Sequence, residues 1–349
     1  MAVTMKDIAK RTGVSVGTVD RALNHRGRIN PEVAARIQAV ARELNYKTNS
    51  VAKSLALRNR NLKIAVVLHV QHNNYFDEVE AGIRQAERDN HDLGIQLTIY
   101  RNRGFDPEDQ LNQLNLAVSH GVSAIVLVPI DSPLIRERVE QLCDEGIPVV
   151  FLSNFIDNTH VFASVHCDYY RSGQMAAGLL RLMAREPGQV LVFSNSFFML
   201  GHRRRLLGFQ EQLGSSCPHL TVEKVVELPL DDLDSYYLVK KTLSETSGRY
   251  IVYSGNAKAG IQALQESDRT FCSIFYDLSA AAQEALCQGK IDGVIFQNPR
   301  QQGYRAISLL FEYLTASGSP QQSTQLVDCN IILRESIQPP PQSPPTEIF

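Results

Sequence analysis

The alternation of apolar and polar positions divides the chain into a short helical head and a long body in which strands and helices take turns. In residues 4–12, Ile8 and Ala9 share one helical face that Thr4 can cap, and Gly13 supplies the positive φ that ends a helix at low cost. Val14 then turns inward and Ser15 caps a second helix over 16–23. That helix buries Val19 with Ala22 or Leu23 and points Val16, Gly17 and Arg21 outward. Asn30 and Pro31 open a third helix, in which Val33, Ile37, Val40 and Leu44 recur at helical spacing. The next stretch, SVAKSLALRNRN, sets Val51, Ala52, Leu55 and Ala56 in helical register but is too short to bury them alone. A helix of that length is marginal in water, which makes the segment a candidate hinge that orders only when supported.

From Leu62 the texture changes. The runs LKIAVVLHV, IQLTIY, SAIVLV and IPVVFL alternate with amphipathic segments over 76–89, 107–120 and 133–145. A second series follows: helix 170–185, QVLVF, helix 202–213, TVEKVVEL, helix 233–246, RYIVYS, helix 258–267, FCSIFY, helix 279–288 and DGVIF. Near-continuous apolar strands separated by helices imply a parallel sheet covered on both faces, and two such series imply two doubly wound lobes. Helix 300–315 and a strand QLVDCNIIL come after both series, so the chain can cross back between lobes on several hinge strands. The expected fold class is therefore an all-α head plus an α/β body of two doubly wound parallel-sheet lobes. The expected domains are a head over 1–46, a hinge over 47–61, and a body over 62–338. Lobe 1 takes about 62–165 and 297–325, and lobe 2 about 166–296 and 326–338; a proline-rich tail, 339–349, is expected to be disordered.

Composition sharpens this division. The 349 residues carry a net charge of −2, yet the first 60 hold twelve Lys or Arg against Asp7, Asp20, Glu32 and Glu43, so the rest of the chain is acidic. A basic head on an acidic body assigns any polyanion to the head. The six cysteines show no CxxC and no Cys/His spacing suited to zinc, so neither a metal nor a cofactor is expected and the thiols read as reduced. The N-terminus MAVTMKDIAK has no apolar core of a signal peptide and no run reaches a membrane span, so a cytoplasmic protein without membrane attachment is expected.

Two short helices around a glycine turn, the second bearing small and basic side chains, form a helix-turn-helix, whose second helix enters the DNA major groove. The head resembles the LacI/GalR family of bacterial transcription regulators. The match is T-x-x-D-I-A-x-x-x-G-V-S-x-x-T-V-x-R-x-L-N over residues 4–24, extended by ELNY-x-x-N-x-x-A-x-x-L over 43–55. The resemblance implies that Thr4, Ser15, Thr18, Asn24, Asn30 and Asn49 contact the DNA backbone or cap helices, and that Val16, Gly17 and Arg21 face bases. Of these, arginine grips guanine through two hydrogen bonds, whereas valine offers a methyl contact and glycine a close backbone approach. Asp20 stands where the family commonly has serine. Either it turns towards Arg11, Lys10 or a neighbouring backbone amide, which is the expectation, or it trims non-specific affinity by repelling phosphates. Leu55 matches a hinge leucine that wedges into the minor groove at the centre of a palindrome, which implies a homodimer on a pseudo-palindromic operator of double-stranded DNA.

The strand and helix order from residue 62 onward looks like that family's effector domain, itself similar to type I periplasmic sugar-binding proteins. In such lobes a ligand lies outside the carboxyl ends of the strands. The residues there are Tyr75, Phe76, Asp131, Asn154, Arg205, Asn256, Asp277 and Gln297, with Asp168 and His202 as weaker candidates. Aromatic faces cover the C–H face of a sugar ring while carboxylates, amides and arginine bind its hydroxyls. The expected function is an operator-binding regulator, a repressor released by a sugar or polyol, and not an enzyme. The alternatives are a transport binding protein and a sugar-active enzyme with Asp131 and Asp277 as its carboxylate pair; the basic head opposes the first, and the surrounding amides oppose the second.

Overall fold

The computed structural model describes residues 3–23, 29–44, 60–70, 74–315 and 323–337. Asn24, Asn49, Leu55, most of the hinge segment and the tail lie outside the described residues.

The head comprises α1 (Met5–Thr12), α2 (Val16–Leu23) and α3 (Pro31–Glu43). Its small core is Ile8, Ala9, Val19, Ala22, Ile37 and Ala41, drawn from all three helices. Gly13 ends α1 at φ 70°, the left-handed region where a side chain is costly. Arg11 pairs with Glu43 and so ties α1 to α3.

The first lobe is built on β1 (Lys63–Val70), β2 (Gln96–Arg103), β3 (Ala124–Leu127), β4 (Val149–Leu152), β5 (Ala163–Cys167) and β11 (Ser323–Val327). The order across this sheet is β11-β5-β4-β3-β1-β2, every pair parallel. Helices α4 (Asn74–Asp89) and α12 (Pro299–Thr315) cover one face, α5 (Pro107–Ser119) and α6 (Pro133–Asp144) the other. Successive residues of β1 alternate between the two cores. Ile64, Val66 and Leu68 pack with α4 and α12, while Ala65 and Val67 face the opposite side, which is why the strand reads as one apolar run.

The second sheet contains β6 (Gly188–Ser194), β7 (Leu220–Glu227), β8 (Tyr250–Ser254), β9 (Cys272–Tyr276), β10 (Gly293–Phe296) and β12 (Asn330–Ile332). Its order is β12-β10-β9-β8-β6-β7. Helices α7 (Tyr169–Met183) and α8 (Leu200–Ser216) cover one face; α9 (Asp232–Glu245), α10 (Ala257–Gln265) and α11 (Ala280–Cys287) cover the other.

Three details depart from the sequence expectations. The segment 163–167 is a strand, buried at every position, although its Ser164, His166 and Cys167 broke the apolar pattern. The run QLVDCNIIL is two strands, not one. β11 closes the first sheet and β12 the second, pairing antiparallel with β10, with Asp328 and Cys329 between them. The chain passes between lobes after Cys167, after Phe296 and after Val327, about two residues later than expected at the first and last of these.

In each lobe one pair of helices meets backbone to backbone through glycine. A Cβ placed on Gly82 of α4 would lie 1.9 Å from the Arg300 carbonyl oxygen, and one on Gly303 of α12 would lie 2.1 Å from that of Val79. In the second lobe, Gly173 of α7 faces the Arg205 carbonyl oxygen at 2.0 Å and Gly208 of α8 that of Tyr170 at 2.1 Å.

Candidate functional site

In the head, polar groups at the helix starts are held by the backbone they cap. The Thr4 N–H and hydroxyl donate to the Asp7 carboxylate at 2.8 and 2.6 Å, and these bonds hold the Asp7 carboxyl below its usual pKa. Ser15 Oγ accepts from the Thr18 N–H at 3.1 Å, and Asn30 Oδ1 accepts from the Glu32 N–H at 2.8 Å. Burial of Val19 and Ala22 leaves Val16, Gly17 and Arg21 on the outer face of α2, with Val16 41% exposed. Arg21 Nε donates to the Gly17 carbonyl at 3.2 Å, one helical turn back. A Cβ on Gly17 would have one neighbour, Ser15 Oγ at 3.9 Å, so this face is shallow and open.

The second site lies where the carboxyl ends of both sheets face each other. Its floor centres on Arg205, which is only 5% exposed. One guanidinium nitrogen donates to Ser254 Oγ at 2.5 Å and another to Gln297 Oε1 at 2.7 Å. The planar head lies 3.9 Å from the centre of the Tyr276 ring and 5.3 Å from that of Tyr169, a cation held against aromatic faces. Gln297 Nε2 donates to Asp277 at 2.7 Å, and the Gln297 carbonyl accepts from Gln302, whose Oε1 in turn accepts from the Tyr75 hydroxyl at 3.2 Å. Tyr75 of α4 is thereby linked to the opposite lobe through α12.

Around this network are an inner cavity of about 40 Å³ and an outer cleft of about 260 Å³, which share Tyr75, Asn195 and Asp277. The inner one is bordered by Phe76, Phe105, Ser153, Met199, His202 and Arg205; the outer by Asn256, Lys258, Ser279 and Glu78 among others. Two buried polar atoms at the inner cavity, Ser153 Oγ and Arg205 Nε, have no partner. Unpaired polar groups in a protein interior carry a desolvation cost of roughly 1–3 kcal/mol each. Strain accompanies them: Ser153 at φ 58° and Asp277 at φ 68° are non-glycine residues in the left-handed region, each just after a strand.

Burial sets the charge states. It raises the Asp277 carboxyl to about 6, against which the nearby Arg205 charge and the Gln297 amide pull down. Burial and, after it, the Arg205 charge lower His202 to about 3. His202 Nδ1 sits 2.9 Å from the Ser196 carbonyl, which can only accept, so the imidazole is neutral with its proton on Nδ1. Because the folded chain holds the Asp277 proton more tightly than the unfolded chain, this residue's contribution to stability is complete below pH 3.8. It is lost as the pH rises through about 6. Asp277→Asn should therefore gain melting temperature over the parent chain between those two pH values and keep a constant difference above them; a difference that does not change with pH would refute the assignment.

The remaining expected residues fall into two groups. Asn256 lies on the outer cleft, where its Oδ1 caps α10 through Lys258 N at 2.9 Å and its amide donates to Asp232 at 2.8 Å. Asn154 and Asp131 do not border either cavity; both fasten lobe to lobe. Asn154 is fully buried, donates to the Pro129 carbonyl at 2.7 Å and accepts from the Gly201 N–H at 3.0 Å, capping α8 from the opposite lobe. Asp131 pairs with Arg203, with Arg136 at 3.8 Å. Arg204 pairs with Asp157 at 2.5 Å. Three consecutive arginines thus divide their work, two gripping carboxylates of the first lobe and the third turning into the cavity. Asp168 caps α7 through Arg171 N at 2.9 Å. Sequence reasoning missed Ser153, Asn195, Ser254 and Gln302; the first three do stand immediately after or at the ends of apolar strands, the position that identified the others.

Comparison with known proteins places these two sites on known frameworks. Residues 4–49 match the family described as bacterial regulatory proteins, lacI family, and residues 64–318 match the family described as periplasmic binding protein domain. Catabolite control protein A of Staphylococcus epidermidis is 28% identical over 181 residues, 52% of this chain and 52% of that protein. The HTH-type transcriptional regulator DegA of Bacillus subtilis is 25% identical over 296 residues, 84% of this chain and 78% of that protein. The chain spans about half the length of the catabolite control proteins it matches. In fold it is similar to the crystal structure of GanP, a glucose-galactose binding protein from Geobacillus stearothermophilus, with a TM-score of 0.71 at 17% identity over 79% of this chain and 98% of that one.

Proposed function

Since the chain belongs to the lacI family of bacterial regulatory proteins, with a periplasmic binding protein domain behind its helix-turn-helix head, we propose that it is a sequence-specific DNA-binding transcription regulator whose operator affinity is set by a small polyol or sugar held between the lobes. The observation that carries the effector half is the pair of buried, unpartnered polar atoms, Ser153 Oγ and Arg205 Nε, at a cavity flanked by aromatic rings. Hydroxyl groups of a ligand satisfy such atoms, and Tyr75, Phe76, Phe105 and Tyr169 supply faces for its C–H edges. The glucose-galactose specificity of GanP accords with a ligand of this class.

With room for about one water molecule, the inner cavity admits a sugar only if the lobes shift. Arg203–Asp131 and Arg204–Asp157 cross that interface, so effector occupancy and lobe angle are coupled. We read the protein as a cytoplasmic, non-enzymatic repressor that binds a pseudo-palindromic operator as a homodimer and is released by its effector. A ligand weakens operator binding only by the factor by which it prefers the non-binding arrangement. Among the described residues no helix is long and apolar enough to cross a membrane, and no cluster of His, Cys, Asp and Glu forms a metal site.

A thermal-shift screen against sugars and polyols tests the effector class, because stabilisation grows with ligand concentration over its dissociation constant. A match followed by weaker operator binding supports the reading; tighter operator binding makes the ligand a corepressor, and no response across the screen rejects the effector class. For the head, selection from random duplex DNA should enrich a two-fold-related sequence. Arg21→Ala should then lose preference at one position per half-site, roughly 1–3 kcal/mol of discrimination, and keep a salt-sensitive background affinity. An unchanged selected sequence would remove Arg21 from the readout.

A further inference from the structure

Cysteine occupies two of the three passages between the lobes. Cys167 is the last residue of β5 and is level with Val327 of β11; Cys329 lies two residues beyond Val327, where the chain leaves for β12. Both are free thiols, Cys167 fully buried and Cys329 half-buried, and they stand close enough for each to shift the other's ionisation. Cys167 Sγ is also 3.4 Å from Oε1 of Gln297, the first residue of the third passage. The other cysteines, Cys143, Cys217, Cys272 and Cys287, lie on or just after α6, α8, β9 and α11, away from these passages.

We propose that Cys167 and Cys329 are a redox modification site, at which a peroxide converts the thiol pair into an intramolecular disulfide that joins the first and last inter-lobe passages. Cys329 is the attacking thiol: it is the more exposed of the two and meets peroxide first, whereas Cys167 is buried, its proton is turned to Gln297, and burial pushes its thiol up. Its sulfur attacks one peroxide oxygen, the O–O bond breaks, and the departing oxygen takes a proton to leave as water, giving a sulfenic acid on Cys329. Cys167 sulfur then attacks the sulfenic sulfur and gives up its proton; the S–O bond breaks and the second oxygen leaves as water. Two thiols lose two electrons and the peroxide gains them.

The bond would have two consequences at the cleft. Rotation of one passage against the other is removed, so the lobe angle is fixed. Gln297, which orients both Arg205 and Asp277, loses its thiol neighbour. The chemistry at the cysteines does not depend on what the cleft binds.

The test uses the full reduced chain and hydrogen peroxide, followed by alkylation of remaining thiols, digestion without reductant and mass mapping. The expected product is one linked Cys167–Cys329 peptide with two of the six thiols consumed, restored by dithiothreitol. Amide exchange around 167–169, 296–299 and 327–330 should be slower in the oxidised chain. In Cys167→Ser, Cys329 should stop at a sulfenic acid that dimedone traps. Three results would overturn the site: a disulfide joining any other pair, sulfinic acid on Cys329 of the unmodified chain without the link, or Cys167 and Cys329 remaining as unreactive as the buried Cys217 while peroxide oxidises exposed methionines.

Discussion

Arg205→Ala should abolish the rise in melting temperature that an effector gives the parent chain, while leaving operator binding intact and no longer relieved by ligand. The guanidinium touches Ser254, Gln297 and the Tyr276 ring at once, and through Gln297 it is linked to Asp277. A hydrogen bond to a charged group contributes about 1.5–3 kcal/mol, so losing the one that the unpartnered Nε offers a ligand weakens binding by roughly ten- to a hundredfold. The unliganded variant should also melt earlier. Truncation leaves Ser254 Oγ and Gln297 Oε1 without their donor and removes the charge that pulls the Asp277 pKa down, so Asp277 should titrate above about 6. Arg205→Lys is not expected to rescue the response, because an ammonium has neither the planar face that lies on Tyr276 nor the fork that reaches two acceptors. Calorimetric titration with a ligand found by the thermal screen decides the matter. An unaltered affinity in Arg205→Ala would put the effector elsewhere.

Gly208→Ala and Gly173→Ala should each lower the melting temperature far more than a methyl group ordinarily does. The added Cβ would sit 2.0–2.1 Å from a backbone carbonyl oxygen of the facing helix, and a backbone cannot swing aside as a side chain can. The α7 and α8 axes would have to separate, opening the core formed by Ala176, Ala177, Leu180 and Phe209. Overpacking of this kind costs about 1–3 kcal/mol, and more when only backbone can yield. Gly178 on α7 and Gly214 on α8 provide the controls, since a Cβ at either meets nothing within 4 Å. There alanine should be neutral or stabilising by up to ~1 kcal/mol, because glycine is the poorer helix former. Equal effects at 173 and 178 would rule out the close approach. Gly173→Ala carries a further expectation: the atom it strikes is the Arg205 carbonyl oxygen, so ligand response should fall along with stability.

These two residues also show where the sequence was readable. The helical period placed α7 and α8, and the rule that ligands lie beyond strand ends picked out Asp277 and Gln297. Nothing in a linear pattern states that Gly173 and Gly208 face each other across a helix crossing, because the two positions are 35 residues apart and either could have been a surface glycine like Gly178. β5 was missed for a related reason. Its Ser164 and His166 look solvated, but Ser164 bonds Thr324 across the strand pair at 3.2 Å and His166 stacks on Phe155 with ring centres 4.4 Å apart. A polar residue satisfied by a neighbour distant in sequence is invisible to hydropathy. Asp131 and Asn154 were read correctly as polar strand ends, yet at that end of the sheet the second lobe supplies Arg203 and the Gly201 N–H, partners that appear only once both lobes are folded.

Gly17 gives the head an uncommon freedom. Its place on α2 is solvent-exposed, meets only Ser15 Oγ at 3.9 Å, and contributes nothing to the core of Ile8, Val19 and Ile37 that keeps the three helices together. A Cβ there would make one ordinary contact, with Ser15 Oγ, and would raise helix propensity at the same time. In the proposed operator-binding role, folding and recognition fall to separate sets of residues on one eight-residue helix. If the head reads an operator through this face, new sequence preferences could be written onto it while the inner face, and the chain behind it, stay as they are.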